Sequence, residues 1–211
     1  MTQKEIIVEH AAQMFVSQGV KAVRMDDIAQ SLSVSKRTLY ELFGDKEELL
    51  YQSISYYIIE TQKRRMNSIK KLDNDLEIMI MCLKDMIAMT PIASRMRRNM
   101  QRFYPAVFER LEKNAYNNSF ENLRGWIKKC VEQGYFTKTA DCDFVVKVLN
   151  DSVQGIMVSE RHEIRDSIEI ISLMSYSLII FIRGLCTTRG MEIIDECFDK
   201  YFGNIPSPDT L

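Results

Sequence analysis

The chain is 211 residues long, 46% hydrophobic and 27% charged, which suits one ordinary domain or two small ones and excludes a disordered, collagen-like or channel-forming polypeptide. Twenty-eight basic residues against 29 acidic ones leave a formal net charge of −1, so no global field points to a polyanionic partner and any contact with nucleic acid must be local. Eight Gly and four Pro are few, and with thirteen Met they favour long helices over short strands joined by turns: the expected class is all-α.

The N-terminal segment repeats Ile7, Ala11, Met14 and Phe15 at helical spacing and stops at Gly19. A short second helix follows from about Met25 to Leu32, with Asp26 and Asp27 in its first turn, where negative charge suits the dipole. Ser33-Val34 forms a turn, and Ser35 caps a third helix from Lys36 to Phe43, ended by Gly44. Asp45 and Glu48 have the spacing of a capping box for a fourth helix running to about Lys71. Further helices are expected over 74–90 and 91–103, separated by Pro91, then from Pro105 toward Gln133, Asp141 to about Glu160, Asp166 to about Thr187, and Met191 to Phe202. The last eight residues, with Pro206 and Pro208, read as a frayed tail.

Several classes of site are missing. The five cysteines, at 82, 130, 142, 186 and 197, form no Cys-x-x-Cys pair, and His10 and His162 lie far from them, so no metal, cofactor or disulfide framework is expected. Cys82 and Cys142 read as buried small hydrophobes rather than redox sensors. There is no Gly-rich phosphate loop, His-Glu-x-x-His or nucleophile elbow, and an enzyme is not expected. Glu5, Glu9, Asp26 and Asp27 make the first thirty residues unlike a targeting peptide, which points to the cytoplasm. Ser167 to Arg183 is apolar, but serines interrupt it and it falls short of the roughly 20 residues of a membrane span, so it reads as a buried helix.

Three short helices in the first 44 residues, with only Ser33-Val34-Ser35 between the last two, have the layout of a helix-turn-helix whose final helix enters the major groove. If Leu39, Leu42 and Phe43 pack inward, steps of about 100° per residue turn Arg37 and Glu41 outward, flanked by Thr38 and Tyr40. The Arg37 fork can take two acceptors on a guanine edge, while Thr38 and Tyr40 can donate to phosphate or touch a thymine methyl. Ser35 begins the helix, Lys36 and Lys46 bracket it, and Glu41 reads as an intrahelical partner rather than a base reader. Residues 1–50 carry six basic and eight acidic side chains, against the usual basic footprint. That acidity keeps open a second reading, a dimeric helical adaptor without DNA binding.

Ala11-Ala12, Phe15, Gly19, Met25-Asp26-Asp27-Ile28-Ala29, Val34-Ser35-Lys36-Arg37-Thr38-Leu39-Tyr40, Phe43 and Asp45-Lys46-Glu47-Glu48-Leu49 together resemble the N-terminal domain of the TetR family of bacterial transcriptional regulators. The resemblance covers about a fifth of the chain, Ile6 to Leu50. It implies a homodimer whose subunits carry a helix-turn-helix DNA-binding domain, here 1–46, and a larger helical ligand-binding and dimerisation domain, here 47–211. It further implies repression of transcription until a small-molecule effector binds, and phosphate contacts from Tyr40 and Lys46. This chain departs from the family in having Ser33 where Gly is usual. It also has Arg24 where a capping Thr often stands, which gives up a cap but puts a cation where the family touches phosphate.

In the larger part, Met79, Cys82, Met86, Met89, Met96, Met100 and Phe103, with Phe120 and Trp126, form an adaptable apolar cluster that could line an effector pocket, although each alone reads more readily as plain core. The helix around Ile168 to Phe181 is apolar nearly all round. Burial on both sides suggests that Ile170, Leu173, Ser177 and Ile180, with Phe144, Val148, Ser152 and Ile156 of the preceding helix, meet a second copy. Two heads would then read a palindromic operator with half-sites about 34–36 Å apart. Arg95, Arg97, Arg98 and Arg102 read as a solvated helix face, as does Lys63-Arg64-Arg65.

Overall fold

The computed structural model describes residues 1–72, 74–139, 141–158 and 167–203. The described residues form α1 (Gln3–Gln18), α2 (Met25–Ser31), α3 (Lys36–Phe43), α4 (Lys46–Ile69), α5 (Asp75–Phe103), α6 (Pro105–Glu132), α7 (Cys142–Val158), α8 (Ser167–Arg183) and α9 (Thr188–Phe202). The tail from 204 onward, and with it Pro206 and Pro208, lies outside the described residues.

The chain divides into two compact units, Met1–Asn67 with Arg95–Tyr116, and Ser68–Ser94 with Asn117–Leu211. The division expected after residue 46 falls at the start of α4, and the first unit continues through that helix to Asn67. α1 opens on a closed capping box: Thr2 Oγ1 accepts from the Glu5 N–H at 3.3 Å and the Glu5 carboxylate accepts from the Thr2 N–H at 2.7 Å. Its apolar stripe, Ile7, Val8, Ala11 and Phe15, packs with Ile28, Leu39, Phe43, Leu49, Leu50 and Ile54 into one core. Met100, Val107 and Leu111, from much further along the chain, complete that core. At roughly 1.5–3 kcal/mol for each large side chain removed from water, this burial is what holds α2 and α3 against α1, since helices of seven and eight residues are not stable alone.

The turn between α2 and α3 is fixed by its backbone. The Val34 N–H reaches the Ala29 carbonyl at 3.0 Å and the Ser33 N–H the Gln30 carbonyl at 3.2 Å, the paired bonds of a Schellman motif that uses up the last carbonyls of α2. This geometry requires a left-handed residue after the cap. Ser33, with φ of 54°, is the non-glycine residue of positive φ among the described residues. The strain that the missing Gly implies is therefore real, and Ser33→Gly is expected to stabilise the first unit by about 1 kcal/mol. Denaturant titration should show a higher midpoint with an unchanged slope; an unchanged or lower midpoint would refute the account.

The break expected at Pro91 does not occur, because α5 runs through it. Proline removes only the N–H that would reach the Ile87 carbonyl, at a cost of about 3 kcal/mol. The turns on either side are anchored by burial, Met79, Ile80 and Ile87 before it and Ser94 and Met100 after it.

The second unit buries Leu76, Met79, Ile80, Ile127, Phe136, Met174, Leu178, Ile182, Ile194 and Phe202 in one core. Two carboxylates tie the start of α5 to later helices. Asp75 accepts from Lys129 Nζ at 2.9 Å and Gln133 Nε2 at 2.7 Å, and Glu77 accepts from Lys200 Nζ and Tyr201 Oη, each at 2.7 Å. Those two bonds hold the Glu77 carboxyl below the usual carboxylate range. The turn after α6 is stitched to the turn before α9: Thr137 N–H donates to the Leu185 carbonyl at 2.8 Å, and the Tyr135 carbonyl accepts from Thr187 N–H at 2.9 Å. Phe136 and Cys186 pair as an isolated antiparallel bridge there. Burial pushes the Cys130 thiol up to about 12, and those of Cys186 and Cys197 up to about 11, so these three are packing residues rather than thiolates.

Candidate nucleic-acid interface

α3 has the bounds the sequence predicts because both its ends are marked. Ser35 Oγ accepts from the Thr38 N–H at 3.0 Å, and the Gly44 N–H, at φ of 78°, donates back to the Tyr40 carbonyl at 2.9 Å. Leu39 and Phe43 are buried and Leu42 packs beside them, which fixes the rotation of the helix. The opposite side exposes Lys36, Arg37, Tyr40 and Glu41, with Thr38 half-buried at the edge.

Arg37 keeps 87% of its side-chain surface, and its Nε lies 2.7 Å from Glu41 Oε1 one turn on, so Glu41 is the intrahelical partner its spacing suggests. Lys36 Nζ lies 2.8 Å from Asp26 Oδ1, which ties α3 to α2. The carboxylate, by accepting that hydrogen bond and by its charge, raises the Lys36 pKa. Ser35 Oγ and Thr38 Oγ1 share a hydrogen bond of 2.8 Å. Arg24 is exposed at the N-cap of α2, where its side chain makes no cap bond. Its backbone N–H donates to Asp27 Oδ2 at 2.8 Å, which is half of a capping box.

Lys46 has a partner within its own unit. Its Nζ donates to the Val20 carbonyl at 2.8 Å and lies 5.1 Å from the centre of the Tyr104 ring, so the ammonium is half-buried and ties α4 to the loop after α1. The capping box expected at Asp45 is half made: Asp45 Oδ1 accepts from the Glu48 N–H at 2.8 Å, but the Glu48 carboxylate turns to Arg110 Nη1 at 2.5 Å and Gln52 Nε2 at 2.7 Å. These bonds, Gln52 first, hold the Glu48 carboxyl below its usual range, and the Arg110 guanidinium lies 3.4 Å from the centre of the Tyr51 ring. Sequence spacing gives no sign of a partner 62 positions away. His10, unassigned by sequence, pairs through Nε2 with Ser31 Oγ at 2.9 Å.

The basic run near the middle of the chain is not uniformly solvated. Arg95 and Arg98 are exposed, but Arg97 keeps only 18% of its surface, paired with Glu112 at 3.0 Å and set over the Phe108 ring. The expected pocket residues also separate. Met79, Met86 and Trp126 belong to the core of the second unit and Cys82 is buried, whereas Met100 belongs to the core of the first unit and Phe103 lies beneath Lys21 and Arg102. The Phe120 side chain lies outside the described residues.

Of the eight expected interface residues, Phe144, Ser152, Leu173, Ser177 and Ile180 are exposed, and Val148 and Ile156 are half-buried. Phe144 keeps 66% of its surface and Ile180 68%. Ile170 is a correction: at 5% exposure it sits in the core of its own unit with Met174 and Leu178, because α8 presents more than one side to that core. Among the described residues no helix is long and apolar enough to cross a membrane, and no group of three or more His, Cys, Asp or Glu could hold a metal ion.

Residues 7–52 match the family model of bacterial regulatory proteins, tetR family. Over 75 residues, 35% of this chain, the sequence is 33% identical to the uncharacterized HTH-type transcriptional regulator YuxN of Bacillus subtilis (strain 168). The match spans about a quarter of the length of the curated relatives concerned. Beyond the N-terminal domain the likeness is one of fold. A TetR-family transcriptional regulator from Pectobacterium atrosepticum superposes with a TM-score of 0.70 at 20% identity, over 88% of this chain and 94% of its own. A transcriptional regulator from Saccharomonospora viridis, solved in complex with choline, does so with a TM-score of 0.70 at 18% identity, over 87% and 97%. The first helices of the chain thus match the N-terminal domain of the tetR family, and its fold is shared with TetR-family regulators along most of its length.

Proposed function

We propose that the protein is a cytoplasmic, homodimeric DNA-binding transcriptional regulator, a repressor whose hold on a palindromic operator is released by a small molecule bound in its second unit. The observation that carries this reading is α3 itself: anchored by Leu39 and Phe43, it leaves Arg37, Tyr40 and Lys36 exposed on the side away from its core. Arg37 and Thr38 face base edges, Tyr40, Ser35 and Lys36 face phosphates, and Arg24 reaches the backbone from the N-terminus of α2. Lys46, held to Val20, supports the loop beside the phosphates and keeps ammonium hydrogens for them.

The exposed Phe144, Leu173 and Ile180, on two helices that pack together, are the face for a second copy. The choline complex of the Saccharomonospora viridis neighbour supports a small-molecule site, and the methionines Met79 and Met86 with Cys82 and Trp126 are the residues of this unit suited to line one. Effector binding would act by favouring a head spacing that no longer matches successive grooves.

Selection from a pool of random duplexes, followed by gel-shift titration, tests the reading. The expected result is saturable, salt-sensitive binding to a palindrome, weakened roughly ten- to hundredfold by Arg37→Ala and by Tyr40→Ala. Failure to enrich any sequence, or full binding by both variants, would overturn it.

A further inference from the structure

Two carboxylates stand among the cations of the proposed groove face, and both are engaged. Asp26 holds Lys36 from α2, and Glu41 holds Arg37 within α3. A carboxylate on a surface that approaches phosphates weakens binding, and an exposed ion pair one turn apart contributes little to stability. Glu41 is 60% exposed and its partner 87%, so neither packing nor burial accounts for the pair. The geometry of the bond does offer an account. It is made through Nε, the inner nitrogen of the guanidinium, at 2.7 Å. The two terminal nitrogens, Nη1 and Nη2, remain at the outer end of the fork, where they can meet the O6 and N7 acceptors of a guanine together. A free arginine would spread this pair of donors over many rotamers and could equally take phosphate oxygens beside the groove.

Building on the reading of α3 as the groove helix, we propose that Glu41 is a positioning residue for base recognition: by accepting from Arg37 Nε it presents Nη1 and Nη2 end-on to a guanine and withholds the side chain from neighbouring phosphates. The head thereby gives up some general attraction to DNA in return for discrimination. This accounts for an acidic residue on the outward face and for part of the acidic excess in the first fifty residues.

The test uses the full-length protein and the duplex it selects, together with variants of that duplex changed at one base pair at a time. Arg37→Ala is expected to flatten the preference at one G·C pair of each half-site. Glu41→Ala should lower the discrimination at that same pair roughly tenfold, while tightening binding to unrelated DNA and steepening its salt dependence. Glu41→Gln, which keeps an oxygen acceptor without the charge, should retain most of the discrimination. The double variant should discriminate no worse than Arg37→Ala alone.

The proposal is overturned if Glu41→Ala shifts all duplexes equally, if the base pair it relaxes is not the one Arg37→Ala relaxes, or if Arg37→Ala weakens every duplex alike. Wild-type protein that selects no duplex would instead overturn the reading of α3 itself, so the two failures are distinguishable. Both positions are exposed, and unchanged thermal midpoints will show that the variants are folded.

Discussion

Alanine at position 190 is expected to destabilise the second unit by about 3 kcal/mol, at the upper end for overpacking, and to lower its thermal midpoint by roughly 6–12 °C. Gly190 lies in the first turn of α9, where its N–H donates to Thr187 Oγ1 at 3.3 Å. A Cβ built there would stand 2.2 Å from the Tyr135 carbonyl oxygen and 3.2 Å from Cys186 Sγ. The obstacle is backbone, and that backbone is pinned by the Thr187 N–H and by the Phe136–Cys186 bridge, so it cannot step aside without breaking the joint between the two turns. Differential scanning calorimetry against Gly125→Ala, where a Cβ has open space, isolates the collision from the general effect of losing a glycine. Equal midpoints for the two variants would show that the close approach is not a constraint.

The second large effect concerns association. Glutamate at both 144 and 180 is expected to leave the subunit folded, because both side chains are already mostly solvated in the single chain. In a two-fold dimer each substitution occurs twice, so four carboxylates would be confined to one apolar patch without partners, an outcome that costs several kcal/mol. The protein should then run as a single chain in sedimentation or light scattering. Affinity for the palindrome should fall at least a hundredfold, since one head alone loses the gain of a linked second contact. A wild-type protein that is itself monomeric, or a variant that stays dimeric, would remove Phe144 and Ile180 from the interface.

What the sequence made legible follows from how local each cause is. The bounds of α3 are set within ten residues by Ser35 and Gly44, and the strained turn by Ser33 standing where a left-handed residue is required, so both could be read from the chain itself. Pro91 misleads because what keeps α5 intact is burial on either side of it, which no local pattern shows. The half-made capping box at Asp45 fails for a similar reason: Glu48 is claimed by Arg110, far along the sequence. In α8, apolar residues run all round the helix, so the pattern cannot say which side faces the chain's own core. Ile170 goes inward while Ile180, ten residues on, stays outside. Arg37 and Glu41 show the opposite case, a pair whose spacing is plain in the sequence and whose use of Nε only the structure reveals.

The core around the helix-turn-helix takes Met100 from the end of α5 and Val107 and Leu111 from the start of α6. As the polypeptide leaves the ribosome, the head therefore cannot finish packing when its own three helices have emerged; it waits for nearly seventy more residues to be synthesised. A gene fragment cut after α4 would carry every groove-facing side chain yet leave part of their support unmade. With α3 as the groove helix, recognition would be conditional on translation having passed well into what looks, from the N-terminus, like a different part of the molecule.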